Sequence, residues 1–182
     1  MRQQEVNRLA SGLTDTFVLE QIQLSIAHFD SLIAQTQAAI DALIQASPRL
    51  KQQETLLLSI PGIGKTSAQL LLAEIEIATF ASARHLAVFV GITPLQHQSG
   101  SSIRKRSHIS KQGNARLRAG LYLPAVVAKR YNPACRDLAQ RLEARHKAGK
   151  VIVVAVMRKL LHQVYGVLSS GQPFDPNYEA TT

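Results

Sequence analysis

The chain of 182 residues holds a single cysteine, Cys135, two methionines and no tryptophan. One cysteine excludes an internal disulfide and fits a reducing compartment. Within a helical pattern, Cys135 reads as buried packing and not as a nucleophile. The N-terminus has no basic start followed by an apolar run, which argues against a signal peptide. A long uninterrupted hydrophobic stretch is also missing. The most apolar segment, "VIVVAVMRKLLHQVYGVL", is broken by Arg158, Lys159 and His162, and it reads as a core helix, not a membrane span. Acidic residues are the scarcest resource of the second half. Between Arg104 and Lys159 fifteen lysines and arginines face only Asp137 and Glu143. A two-metal phosphodiesterase needs clustered carboxylates. Glu74 and Glu76, two apart on one helix, do not share a face. The six histidines show neither HxxxH nor HExxH spacing, so no metal ligand is expected in this chain.

What is present is a globular composition, 46% hydrophobic and 18% charged, with a net charge of +9. The charge is unevenly placed. The first sixty residues carry four cations against six acids, so the positive surplus lies almost wholly downstream. Such asymmetry is the footprint of a polyanion-binding surface, although charge alone also describes a merely soluble basic protein.

The pattern is helical nearly throughout. Leu19, Ile22, Ile26, Phe29, Ile33, Thr36, Ile40 and Leu43 alternate steps of three and four, an a/d seam of more than three heptads. Asp15 or Thr14 can cap its start, and Ser47-Pro48 ends it. So narrow a seam requires one partner, either a second copy in a coiled coil or the chain's own domain. The expected organisation is therefore a coiled-coil dimerisation helix over residues 1–47 and a compact helical domain over 48–182. In the latter, "PRLKQQETLLLSI" and "KTSAQLLLAEIEIA" read as helices around a "PGIG" turn. "SARHLAVFVGITP" reads as a short helix from Ser82, stopped by Gly91 and Pro94. "GNARLRAGLYLPAVVAKRY" is expected to kink near Pro124. "NPACRDLAQRLEARHKAGK" has an Asn cap, Pro at the first helical position and Gly149 past its end. A last helix runs from Val151 to Ser169, where the β-branched run Val151 to Val154 leaves strand as an alternative.

Two stretches carry chemistry. In "SIPGIGKTSAQ" the Gly64-Lys65-Thr66 triplet imitates a phosphate-binding loop, but Ser59 stands where that motif needs glycine. Apolar helix, "PGIG", apolar helix is the helix-hairpin-helix pattern. There Gly62 and Gly64 would reverse the chain and, with Lys65, offer amides and charge to a DNA phosphate. An ordinary αα turn is the plainer reading. The second stretch is "QSGSSIRKRSHISKQGNARLR", residues 98–118, with five serines and the cations Arg104, Lys105, Arg106, Lys111, Arg116 and Arg118. A serine hydroxyl attacks a phosphate diester when held in line with cations on the phosphoryl oxygens. Arginine suits that task because its planar fork grips two oxygens. A basic serine-rich loop also binds phosphate with no covalent chemistry at all.

The order of "LLLSIPGIGKTSAQLLLAEI", "FASARHLAVFVGITPLQHQSGSS", "ISKQGNARLRAGLY" and "VMRKLLHQVYGVL" resembles the C-terminal transposase domain of the IS-one-ten family of bacterial insertion-sequence transposases. The similarity covers roughly residues 50 to 178. The resemblance implies DNA recombination by two cooperating sites. One is a RuvC-like domain whose four acids bind divalent metal. The other is a serine that links covalently to DNA, with a structured guide RNA choosing the target. The family's serine-glycine motif falls on Ser99 and Gly100, with Ser101 and Ser102 as neighbouring rivals. Lys111, Gly113, Asn114 and Arg118 match its basic "K.GN..LR" stretch, for which the resemblance implies nucleic-acid contact. The heptad helix looks like the family's coiled coil. No acid tetrad lies in these residues, so the chain is expected to be the C-terminal part of such a recombinase. Any metal would belong to the RuvC-like domain, leaving this part inactive alone. The implied setting is the bacterial cytoplasm, on the nucleoid. The rival readings are a non-catalytic nucleic-acid-binding helix-hairpin-helix module and an assembly domain built on the coiled coil.

Overall fold

The computed structural model describes residues 1–12, 15–95, 98–99, 103–104, 108–110 and 112–177, with only the backbone at 95, 98–99, 103–104 and 108. The architecture is all-α apart from one short β arm. The chain divides into two compact units, Met1–Pro48 and Arg49–Thr182.

The first unit is a helical hairpin. Helix α1 spans Arg2–Leu9 and α2 spans Thr16–Ala46. Asp15 caps α2 by accepting a hydrogen bond from the Val18 amide at 3.0 Å, while Thr14 lies outside the described residues. At the other end Ser47 is extended, as a residue before proline must be. The Arg2–Asp30 ion pair joins positions 28 apart, so α1 runs back antiparallel along α2. Along the heptad seam Ile22 is buried, whereas Ile33 and Leu43 remain 56% and 69% exposed. A groove of about 280 Å³ opens between Phe29, Leu32, Ile33, Thr36 and Ile40. Part of the seam thus has a partner in the same chain, an arrangement that the heptad pattern does not disclose.

The second unit is built around α9, Gly149–Ser170, which buries Ile152, Val156, Met157, Leu160, Leu161 and Val164. By length and composition this helix could cross a membrane, but half of its most apolar window lies in the protein core. The charges at Arg158 and Lys159 belong to its outer side. Against it pack α5 (Ala83–Val90), α7 (Tyr122–Tyr131) and α8 (Pro133–Ala144). Helices α3 (Pro48–Leu58) and α4 (Lys65–Glu74) form the hairpin, and α6 (Ala115–Gly120) leads into α7.

Four boundaries differ from the sequence expectation. Helix α4 stops at Glu74, and the chain turns extended at Ile75 before a 3₁₀ turn at Ile77–Thr79. The kink falls at Leu121, between α6 and α7, three residues before Pro124. Proline disrupts the turn that precedes it, because its ring opposes the carbonyl four residues back. Gly149 opens α9 and does not terminate α8. Instead His146 ends α8 at φ 53°, with its amide donating to Glu143 O (2.8 Å) and that of Lys147 to Leu142 O (3.1 Å). That pair of bonds is a Schellman stop built without glycine. Residues 151–154 are helical.

Candidate nucleic-acid interface

The serine-rich window leaves the helical unit after α5 and returns before α6 as an antiparallel arm. Strands β1 (Pro94–Leu95) and β4 (His108–Ile109) pair at its base, with Pro94 opposite Ile109. Beyond them β2 (Gln98–Ser99) pairs with β3 (Ile103–Arg104), setting Ser99 opposite Ile103 and Gln98 opposite Arg104. The Ser110 amide extends the base by donating to Thr93 O at 3.0 Å. Ser101, Ser102, Lys105, Arg106 and Lys111 lie outside the described residues. Ser99 and Arg104 therefore sit on paired strands of one hairpin, across from each other's neighbours.

A clasp closes the root of this arm, and the "GN..LR" residues build it. Gly113 has φ +135°, and a Cβ there would lie 2.2 Å from Phe89 O, so only glycine fits. The next amide, of Asn114, donates to that same Phe89 carbonyl at 2.8 Å. Asn114 Oδ1 caps α6 by accepting from the Leu117 amide (3.0 Å), and its Nδ2 donates to Glu74 Oε2 (2.7 Å). Arg118 Nη1 donates to Val90 O at 2.9 Å, satisfying a carbonyl at the C-terminal end of α5. Arg116, largely exposed, reaches Glu74 Oε1 at 3.2 Å. Asn114 and Arg118 thus brace the arm, while Arg116 keeps most of its surface in solvent.

The "PGIG" turn is also a packed feature. Gly62 has φ +108°, and a Cβ there would approach the Ala128 Cβ to 2.7 Å, so the turn lies directly against α7. Pro61 O accepts from Asn132 Nδ2 (3.3 Å), an amide that also donates to Gln163 Oε1 (2.8 Å). Asn132 in turn caps α8 through the Cys135 amide. Gly64 stands outside this packing: it is exposed, its φ is −97°, and a Cβ would meet nothing within 4 Å. Gly64, Lys65 and Thr66 form the exposed N-terminal end of α4. The Glu74 clasp holds the opposite end, one helix length of roughly 15 Å away. Gly62, Gly64 and Lys65 are consequently not brought together with Asn114, Arg116 and Arg118.

Two side chains of the helical unit have shifted titration. Burial pushes the Cys135 thiol up to about 11 against the opposing charge of Lys159, so it stays protonated and unreactive. Burial, and then the charges of Arg158 and Lys159, hold His162 below its ordinary value. Among the described residues no three His, Cys, Asp or Glu side chains converge to hold a metal ion. Sequence reasoning singled out the arm but passed over a second basic surface, on α8 and the turn that follows. Arg136, Arg141, Arg145 and Lys147 are all exposed there, flanked by exposed Arg130 at the end of α7 and Lys150 at the start of α9. The charge asymmetry already contained that signal, but nothing in spacing alone assigned the cations to one face.

A β arm of serines and arginines, braced on a helical core by glycine and asparagine, is the feature around which relatives can be compared. Residues 54–140 match the transposase IS116/IS110/IS902 family. The chain carries a transposase domain of that family. Among similar proteins, the pilin gene-inverting protein of Moraxella bovis is 42% identical over 154 residues, covering 83% of this chain and 48% of that protein. An insertion element IS110 43.6 kDa protein of Streptomyces coelicolor is 30% identical over 79% of this chain and 35% of its own length. The transposase for insertion sequence element IS1111A of Coxiella burnetii is 28% identical over 72% of this chain and 42% of its own. The chain spans about half the length, or less, of these relatives.

Proposed function

We propose that this chain is the DNA-binding, serine-bearing part of an insertion-sequence recombinase. Ser99 is its nucleophile, and a RuvC-like partner domain supplies the divalent metal. The observation that supports this most is the arm. Ser99 lies on a paired strand opposite Ile103, with Arg104 on the same ladder, and both strands rise from a glycine-dependent clasp. Such bracing suits a nucleophile, since a reacting oxygen must be held in line with its target. In the reaction Ser99 Oγ forms a bond to a DNA phosphorus, and the bond to one deoxyribose oxygen breaks. The serine proton passes to a base, and the departing oxygen takes a proton up. The diester is retained as a protein–DNA linkage, so rejoining needs no outside energy source. Arg104, Lys105, Arg106, Lys111 and Arg116 neutralise the phosphoryl charge.

The relatives' names, one a gene-inverting protein and another a transposase, agree with strand exchange on DNA. A guide RNA and a homodimer formed through α2 complete the proposed assembly, which would work on the nucleoid in the bacterial cytoplasm. The rival is a non-catalytic helix-hairpin-helix module, favoured by the exposed amides and lysine at the start of α4. The two part on a mutant series in the chain supplied with a RuvC-like domain and a cognate element. Ser99→Ala abolishes strand exchange while Ser101→Ala and Ser102→Ala retain it, all three still binding DNA. Full exchange by Ser99→Ala removes Ser99 from the mechanism. Equal loss of binding in a Lys65→Ala variant, with no covalent product in any protein, favours the module.

A further inference from the structure

Where α7 hands over to α8 the surface sinks into a depression of about 480 Å³, lined by Lys129, Arg130, Tyr131, Arg136, Gln140 and Glu143. Tyr131 stands 68% exposed at its edge and makes no ring contact among the described residues. Neither Arg130 nor Arg136 has a carboxylate partner among the described residues. From Lys129 to Lys150 seven lysines and arginines face two acids. The floor is rigid. Lys129 pairs with Glu143 across the two helices, and buried Asn132, next to Tyr131, is held by Pro61 O, Gln163 and the Cys135 amide.

We infer that this depression binds one unpaired nucleobase of a single-stranded nucleic acid, stacked on Tyr131, with Arg130 and Arg136 on the flanking phosphates. Each feature meets one part of that ligand. An exposed ring with no partner offers a stacking face, and stacking tolerates any base. Two guanidinium forks with no carboxylate partner among the described residues suit phosphate oxygens. Gln140 provides both a donor and an acceptor for a base edge. A duplex keeps its bases stacked and would touch only the cations. An acidic peptide would use the charge and leave the ring and the amide without a role. The site is lined by residues of α7 and α8 and by none of the serine arm's described residues. It rests on the proposed function only in taking nucleic acid as the ligand.

The chain lacks tryptophan, so Tyr131→Trp creates a single fluorescent reporter at the site. Titration with mixed-sequence single-stranded DNA of about twelve nucleotides should quench that emission, and matched duplex should leave it unchanged. In anisotropy measurements, Tyr131→Ala should weaken single-strand binding roughly 5- to 100-fold and change duplex binding less than about twofold. Arg136→Ala should weaken both. Tyr131 is mostly in solvent, so these variants are expected to fold, which circular dichroism checks. Single-strand binding that survives Tyr131→Ala, or emission equally quenched by duplex, overturns the base pocket and leaves the recombinase reading standing. Displacement of the oligonucleotide by polyglutamate at equal charge, with the same loss on Tyr131→Ala, assigns the depression to an acidic peptide and also overturns it. A parent chain that binds neither single strand nor duplex defeats both readings.

Discussion

Gly62 and Gly64 lie two positions apart in one turn and face opposite constraints. The first holds φ +108° with Ala128 against it, and the second has an ordinary φ and open space. A side chain at Gly62 meets left-handed strain, about 1–2 kcal/mol, together with overpacking of about 1–3 kcal/mol. Gly62→Ala should therefore cost roughly 2–5 kcal/mol in denaturant unfolding, and Gly64→Ala less than about 1 kcal/mol. Equal costs would contradict the packed turn. Residue by residue, caps were legible because they act over three or four positions. Asp15, one of two candidates, and Asn132 with Pro133 after it cap the helices expected of them, and Ser82, where a helix was expected to start, caps α5. The clasp was not legible. Asn114 and Glu74 are forty positions apart, and Arg118 finds a main-chain carbonyl that no spacing rule points to. A basic residue in a family motif invites a nucleic-acid role, and Arg118, part-buried, also donates to a carbonyl of its own chain.

At the scale of elements, the heptad helix shows what periodicity does and does not determine. Steps of three and four identify one apolar seam on α2 but leave its partner open, and α1 of the same chain supplies part of the answer. The exposed portion, with Ile33 and Leu43, is where the proposed second copy would pack. Because both side chains are already in solvent, Ile33→Asp with Leu43→Asp should spare the single-chain fold. Sedimentation should show a parent dimer and a monomeric double variant of unchanged helicity. A strictly monomeric parent removes the dimer. The break between α6 and α7 teaches a related lesson. Proline marks a disruption, but its effect falls on the preceding turn, here at Leu121.

At the scale of the molecule, the all-α core and the basic arm have different jobs. Helix α9 and its neighbours bury the apolar surface, and the paired strands of the arm fall between α5 and α6 in the chain. The family-matched residues, 54–140, include the end of α3, the PGIG turn and α4, the arm, the clasp, α7 and most of α8. Sequence order disclosed this family because several separate motifs agree in succession. The position of the arm between two helix ends depended on tertiary contacts that order alone does not specify. In the proposed reaction Ser99 carries DNA during strand exchange. The measurement closest to it is peptide mapping of the covalent complex, formed with the RuvC-like domain and cognate DNA, then digested with protease and nuclease. A nucleotide mass on Ser99, absent from the Ser99→Ala protein, is the predicted result. A nucleotide mapped to Ser101 or Ser102, or no adduct in a reaction that completes strand exchange, would contradict it.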